Sequence, residues 1–234
     1  MIVERPAAAR GATTLDWLDS RHAFSFGRFH DPRWMGFGAL RVLNEDRVAP
    51  GGGFAPHRHA NMEILSYVVS GALAHRDDAG GGGVLRPGEL QWMSAGHGIE
   101  HSEFNASRDA PVHFLQVWIQ PDRVNAPPAW AQRAFDPARR RGRFALLASP
   151  DGAEGSLAIR QQAWLRGALL APGEAVAFSP DPGRRYWLHV VRGTVQAGER
   201  ALGAGDALGL LGESAPLRLT GAAADLLLFD LPGQ

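Results

Sequence analysis

Two short pairs of metal-ligating side chains constrain this sequence more than any other feature. His57 and His59 form one pair, and His101 and Glu103 form the other, with a single residue between the members of each. In a β-strand, residues i and i+2 point to the same face, so both members of each pair can point inward. Two such strands side by side would place three imidazoles and one carboxylate around one point. The pattern predicts a β-protein with a site for one divalent transition metal ion.

The composition agrees with a protein built from strands. Of the 234 residues, 45% are hydrophobic and 21% are charged, and the chain contains 29 glycines and 16 prolines. This proportion of glycine and proline favours many short strands and turns over long helices. We expect an all-β fold.

Several classes of function are excluded by residues that the chain lacks. It has no cysteine and no lysine, because all 24 of its basic residues are arginine. Thiolate catalysis, cysteine-ligated metals, Schiff-base chemistry and the phosphate-binding P-loop lysine are therefore excluded. The formal net charge is zero, which provides no overall field to attract nucleic acid or a membrane surface. With no apolar stretch of membrane-spanning length and no signal peptide, we expect a soluble cytoplasmic protein.

A change in composition between residues 121 and 143 predicts a domain boundary. Prolines cluster there, and the run RRRGR follows at residues 139–143. We interpret the run as a solvated linker, because no aromatic residues interleave with the arginines. We expect residues 1–134 to form an N-terminal metal-binding domain and residues 135–234 to form a C-terminal domain without metal ligands.

The second domain repeats the first in degraded form. Gly193 aligns with Gly71 in one turn, and Gly205 aligns with Gly88 in another. The residues that then stand at the positions of the four ligands and Glu63 are Ser179, Asp181, Arg185, Arg218 and Thr220. Of these five, only Asp181 is a good metal ligand. The second domain is therefore predicted to be a barrel without a metal site.

The chain between the two ligand pairs predicts a hairpin. Residues 63–69 are rich in β-forming side chains, Ser70 and Gly71 make a turn, and residues 72–75 return as the partner strand. The glycine-rich segment 77–83 predicts a second, looser turn.

The sequence leaves two candidates for the carboxylate of the site. Glu63 shares parity with His57 and His59, so in a regular strand it would also face inward. We favour Glu103, because its i+2 spacing from His101 guarantees that the two lie close together. Glu63 would then orient a ligand imidazole through its other nitrogen, or stand as a charged residue at the mouth of the barrel.

The motifs around these residues resemble those of a known superfamily. G-x5-H-x-H-x3-E from Gly51 to Glu63, followed by P-G at Pro87 and G-x2-H-x3-N from Gly98 to Asn105, looks like the two cupin signatures. More narrowly, TLDWLDSRHAFSFGRF, MGFGALRVLNEDRVAPGGGF, MEILSYVVSGALAHRD and MSAGHGIEHSEFN resemble pirin-family bicupins. The similarity covers most of residues 13–120 and is diffuse beyond. Arg58, Ala60 and Asn61 depart from the pattern, which expects Pro, Arg and Asp there.

The resemblance implies two stacked cupin, or jelly-roll, β-barrels. It also implies a metal held in the N-terminal barrel by His57, His59, His101 and Glu103. We expect Fe(II), with Zn, Ni, Cu, Mn or Co as alternatives. Two open coordination positions on an octahedral ion would admit substrate or dioxygen.

Pirin relatives imply two functions. The first is a quercetin 2,3-dioxygenase acting on a flavonol and dioxygen, in which Glu103, or Glu63 instead, accepts the flavonol hydroxyl proton. Candidate apolar walls for a flat aromatic substrate are Phe24, Phe26, Phe37, Phe54 and Met93. The alternative is a non-catalytic regulator that binds a protein partner according to the redox state of its metal. In either case we expect a monomer, because the two halves can cap each other's sheet edges.

Overall fold

The protein is built almost entirely of β-strands. The structure, a computed structural model, describes residues 1–233. The strands in chain order are β1 (Ile2–Arg5), β2 (Gly11–Leu15), β3 (Leu18–His22), β4 (Leu40–Val48), β5 (Gly53–His59), β6 (Glu63–Ser70), β7 (Leu73–Asp77), β8 (Gly82–Leu85), β9 (Glu89–Ser94), β10 (Ile99–Asn105), β11 (Val112–Ile119), β12 (Ala129–Ala134), β13 (Ala145–Ser149), β14 (Leu157–Ala158), β15 (Trp164–Leu170), β16 (Ala175–Phe178), β17 (Arg185–Ala197), β18 (Arg200–Gly203), β19 (Ala207–Leu211) and β20 (Leu217–Leu231).

The helical elements of residues 1–233 are three short 3-10 turns: Ala7–Ala9, Pro137–Arg140 and Ala153–Gly155. The all-β prediction is therefore confirmed. Among the residues described, no helix has the length and hydrophobicity needed to cross a bilayer.

The chain divides into two compact units. The first unit contains Gly11–Phe135 and the short segment Ile159–Gln161, and the second contains Met1–Arg10, Asp136–Ala158 and the chain from Gln162 onward. The division differs from the predicted 1–134 and 135–234 by one residue at Phe135, and more substantially in two other places. The first ten residues belong to the second unit because β1 pairs with β19, and residues 159–161 belong to the first. The two larger differences depend on contacts between segments distant in sequence, since Arg160 forms hydrogen bonds with Glu63 and Asp122.

The first unit consists of two sheets. A four-stranded sheet has the order β5-β10-β7-β8, and a seven-stranded sheet has the order β12-β9-β6-β11-β4-β3-β2. Buried apolar side chains from both sheets pack together in two clusters, one around Phe114 and Leu73 and the other around Ile64 and Ile99. Burial of this apolar surface stabilises the apposition of the sheets.

The predicted hairpin of residues 63–75 is wrong in its pairing. β6 pairs with β9 and β11, whereas β7 pairs with β8 and β10, so the turn at Gly71 carries the chain from one sheet to the other. Gly71 has φ of +80°, and a Cβ there would lie 2.6 Å from Pro111 O. Only glycine fits such a crossing without strain. The turn over residues 77–83 does join a hairpin, β7 with β8.

The second unit is a nine-stranded sheet around a core of its own. It reproduces the backbone conformations on which the internal repeat was aligned. Gly193 has φ of +71° against +80° for Gly71, and Gly205 and Gly88 both have φ of +87°. The predicted turn at Gly193 is wrong, however, because Gly193 lies at a register shift within β17, whereas Gly71 joins two strands. The two units thus share these backbone conformations although the strands around them differ.

Candidate metal centre

The three predicted imidazole ligands lie on two paired strands. β5 and β10 run antiparallel with His57 opposite His101 and His59 opposite Ile99. The register shifts after His101, so that Glu103 lies opposite Phe54. Because His57 and His59 share one face of β5, and His101 lies directly across from His57, the pairing brings all three rings together. The prediction that the two strands meet side by side is confirmed.

The three rings form a compact cluster. Their potential ligand atoms all lie within 4.8 Å of one another. The ring centroids are 4.4 Å apart for His57 and His101, 4.8 Å for His57 and His59, and 4.9 Å for His59 and His101. One ion placed among them could therefore contact a nitrogen of each ring.

Two imidazoles of the cluster have lowered pKa values, which favours the neutral form that can bind a metal cation. Burial, together with the neighbouring imidazoles, lowers the pKa of His101 to about 2. Burial and the proximity of His57 lower the pKa of His59 to about 4. Both rings are therefore neutral at pH 7 with lone pairs free for coordination. The ring nitrogens of His101 are buried and have no hydrogen-bond partner among residues 1–233, so the donor set fits a divalent transition metal.

Glu103 lies in the same cavity but is held differently. It is 2% exposed, its Oε2 accepts a hydrogen bond of 2.7 Å from Gln116 Nε2, and its Oε1 accepts one of 3.2 Å from Ser66 Oγ. Burial raises its pKa, and these two hydrogen bonds oppose that effect. Glu103 is not part of the group whose ligand atoms lie within 4.8 Å of one another. Its ligation of the metal remains a prediction.

The structure contradicts the prediction that Glu63 faces the site. Its Oε2 accepts hydrogen bonds from Trp92 Nε1 at 2.7 Å and from the backbone N–H of Arg160 at 2.9 Å, and its Oε1 accepts one from Ser94 Oγ. Strand parity fails because β5 ends at His59 and β6 starts in the other sheet. Between them Asn61 adopts φ of +52°, which breaks the alternation. The roles considered for Glu63 as metal ligand, as base and as partner of a ligand imidazole lack the required contact. Its complete burial is also at odds with a place at the mouth of the barrel.

A cavity of about 260 Å³ opens beside the imidazoles. Its lining combines apolar rings, the metal-site side chains and a group of polar residues: Thr13, Leu18, Ser20, His22, Phe26, Asn44, Asp46, Phe54, His57, His59, Glu103, Gln116 and Trp118. Phe26 and Phe54 were predicted as walls and are present. Phe24, Phe37 and Met93 were also predicted, but they are buried in the core and do not line it.

Sequence reasoning did not identify Trp118 as a wall. Its ring makes edge contacts with His59 at 4.8 Å and with Phe26 at 5.5 Å between centroids. The sequence contained part of the information, because the i, i+2 spacing places Trp118 on the same face of β11 as Gln116. What the pattern did not show was that this face borders the cavity.

Sequence reasoning also missed the polar wall formed by β2, β3 and β4. His22 Nε2 and Thr13 Oγ1 are 2.8 Å apart, and His22 Nδ1 and Asn44 Oδ1 are 2.8 Å apart. Ser20 Oγ donates a hydrogen bond to Asp46 Oδ1. Burial, together with the charges of nearby carboxylates, raises the pKa of Asp46 to about 7. The cavity thus has a second buried carboxyl group besides Glu103.

Comparison with protein families finds matches in both parts of the chain. The family model described as Pirin matches residues 4–119. The model described as the quercetinase C-terminal cupin domain matches residues 146–231.

Curated relatives resemble the chain over nearly its whole length. It is 40% identical over 232 residues to the quercetin 2,3-dioxygenase of Escherichia coli strain K12, with 99% of each chain covered. It is 37% identical to a pirin-like protein of Caulobacter vibrioides, with 98% of this chain and 99% of the relative covered.

Solved structures show the same arrangement of strands. The crystal structure of YhhW from Escherichia coli superposes with a TM-score of 0.95 at 39% identity, covering 100% of this chain and 99% of that one. The complex of bacterial pirin YhhW with nickel(II) superposes with a TM-score of 0.94 at 39% identity, covering 100% of both.

Proposed function

Because the chain belongs to the pirin family of two-domain cupin proteins, we propose that it is a metal-dependent dioxygenase that cleaves flavonols such as quercetin. Membership of the family confirms the predicted bicupin fold. It also supports a function that depends on a divalent metal in a cupin site.

One observation carries the proposal. His57 and His59 belong both to the imidazole cluster and to the lining of the cavity, so a molecule in the cavity would lie against the metal position. The rings of Phe26, Phe54 and Trp118 line the same space. A cavity with apolar walls and a few convergent polar groups suits a flat aromatic ligand with oxygen substituents.

We propose His57, His59, His101 and Glu103 as the metal ligands. Among divalent ions we expect Fe(II), because three imidazoles and one carboxylate with open positions suit it. Nickel is the ion in the related YhhW complex. When bound, such an ion would supply Lewis acidity toward the flavonol oxygens and redox chemistry toward dioxygen.

The residues around the metal position would bind and deprotonate the substrate. The aromatic walls would hold the flavonol ring system flat and exclude water from it. Glu103 is the proposed acceptor of the flavonol hydroxyl proton, because it lines the cavity and burial raises its pKa. Gln116 would keep Glu103 in place through their hydrogen bond. The name of the Escherichia coli relative, quercetin 2,3-dioxygenase, supports this choice of substrate.

The test is a turnover assay on protein reconstituted separately with iron, nickel and copper. With the metal content verified, the loaded protein should consume quercetin with matching oxygen uptake, and His101→Ala should lose both. His97→Ala is the matched control, since His97 is exposed and its backbone N–H makes its bond to Ala126 O. A stoichiometrically loaded wild type that leaves quercetin intact would refute the proposal. Redox-dependent binding of a protein partner by that same preparation would favour the regulator instead.

A further inference from the structure

Asp46 is a buried ionisable residue for which the proposed reaction has so far no use. It lies on β4, is 3% exposed and lines the cavity. Its partner across the β4–β11 pairing is the apolar Phe114, a core residue. Burying a carboxyl group costs free energy unless the group has partners, so an aspartate here requires a compensating interaction.

The neighbouring polar groups do not fully supply that interaction. His22 is engaged on both ring nitrogens by Thr13 and Asn44. The hydrogen bond that Asp46 accepts within the described chain comes from Ser20 and reaches Oδ1. A carboxylate has about four acceptor positions on its two oxygens, so Asp46 keeps capacity toward the cavity.

The position of Asp46 is complementary to that of the imidazoles. Asp46 and Ser20 belong to the seven-stranded sheet, whereas His57, His59 and His101 belong to the four-stranded sheet. A ligand in the cavity therefore meets the imidazoles from one sheet and Asp46 from the other.

We propose that Asp46 is a specificity-determining residue that hydrogen-bonds a hydroxyl group of the substrate other than the one facing the imidazoles. The inference rests on the proposed function and names what the site selects: a polyhydroxylated flavonol over one that carries the chelating hydroxyl and carbonyl alone. With a pKa of about 7, Asp46 can act at neutral pH as either donor or acceptor toward that hydroxyl.

The experiment measures binding of quercetin and of 3-hydroxyflavone to the nickel-loaded full-length protein. Both compounds have the chelating pair, but 3-hydroxyflavone has no further hydroxyl. The wild type should prefer quercetin by about tenfold or more, as expected for a hydrogen bond to a charged group. Asp46→Leu, which has the same number and branching of side-chain heavy atoms, should lose that preference through weaker quercetin binding alone. Asp46→Asn should keep part of it, because its amide can still hydrogen-bond.

Two controls separate recognition from folding. Nickel affinity should be the same in the wild type and in both variants. Glu45→Gln should behave like the wild type, because Glu45 is the adjacent carboxylate but binds Arg47 and His113. If Asp46→Leu fails to fold, Asp46→Asn provides the test, and its preference for quercetin should be smaller than that of the wild type.

The outcomes distinguish this inference from the function on which it rests. If the nickel-loaded wild type binds neither flavonol, the proposed function fails and the inference falls with it. If the wild type binds both equally, or if the preference for quercetin is as large in the folded Asp46 variants as in the wild type, this inference alone is overturned.

Discussion

Gln116 Nε2 donates a hydrogen bond of 2.7 Å to Glu103 Oε2 and so connects β11 to the strand that carries His101. The two strands belong to different sheets of the first unit. The bond favours the ionised form of Glu103, against the burial that raises the pKa of this carboxyl. An acid that would otherwise resist ionisation is thereby kept available to a cation.

Removing that donor should weaken metal binding. Gln116→Leu should lower nickel affinity at pH 7 by about tenfold, the lower end of what is lost with a hydrogen-bond partner of a metal ligand. The loss should be smaller at pH 9 than at pH 7, because a higher pH favours the ionised form of Glu103. Titration calorimetry at the two pH values measures this. Gln120→Leu is the control, because Gln120 is exposed, and equal affinities for Gln116→Leu and wild type would contradict the prediction.

Nickel should stabilise the folded protein through His101. The free energy of unfolding should rise by about 2.7 kcal/mol when free nickel is 100 times its dissociation constant. His101→Ala should show no such rise, and a chelator should return the wild type to its metal-free melting temperature. Differential scanning calorimetry with and without nickel makes the comparison. A nickel-dependent shift that persists in His101→Ala would place the ion elsewhere.

Asp46 should make the stability of the metal-free protein depend on pH. Its pKa is raised from 3.8 to about 7 by burial, so the folded state holds a proton that the unfolded state has lost between these values. The contribution of this proton to the free energy of unfolding is fully present below pH 3.8. It is lost as pH rises through 7, by at most about 1.4 kcal/mol per pH unit. Asp46→Asn lacks this loss, so it should gain stability relative to wild type between pH 4.5 and 7. Urea unfolding at several pH values tests this. A difference in the free energy of unfolding between Asp46→Asn and the wild type that does not change with pH would contradict the prediction.

Glu63 should matter for stability and not for the metal. Glu63→Ala leaves Trp92 Nε1, Ser94 Oγ and the Arg160 N–H without their acceptor, and should lower the free energy of unfolding by about 3 kcal/mol. Nickel affinity of the folded variant should match that of the wild type. Glu100→Ala, which removes an exposed ion pair with Arg58, should cost less than about 1 kcal/mol. A large loss of nickel affinity in Glu63→Ala would contradict this prediction and indicate that Glu63 takes part in metal binding.

Gly53 should be required for the close pairing of β5 and β10. A Cβ at this position would lie 2.3 Å from Phe104 Cδ1 and 2.5 Å from Glu103 O, so Gly53→Ala must push the two strands apart. We expect destabilisation of about 1–3 kcal/mol and weaker nickel binding. Gly51→Ala provides the comparison, because an added Cβ there meets no atom within 4 Å and the cost is limited to its φ of +70°. Denaturant unfolding should give a lower free energy of unfolding for Gly53→Ala than for Gly51→Ala.

The imidazole cluster could be predicted from the sequence because it depends on local geometry. The i and i+2 spacing of His57 and His59 places both on one face of any regular strand. His101 needed one further assumption, that its strand pairs with the first, and the β5–β10 register confirms it. Gly71, in a turn, and Gly193, at a register shift within β17, were likewise visible in the sequence, because a positive φ excludes most other residues.

Other features were decided by contacts between segments far apart in the chain. Glu63 has the parity of the ligands, but it begins a strand of the other sheet, and the sequence of a turn does not specify which sheet follows it. The polar wall with Asp46 and His22 forms only when β3 and β4 face the imidazoles across the cavity. The first strand joins the second unit through pairing with β19, more than 200 residues later. Alternation along a strand is a local property of the sequence, whereas the partner of each face depends on strand pairing, which is set by the burial of the whole chain.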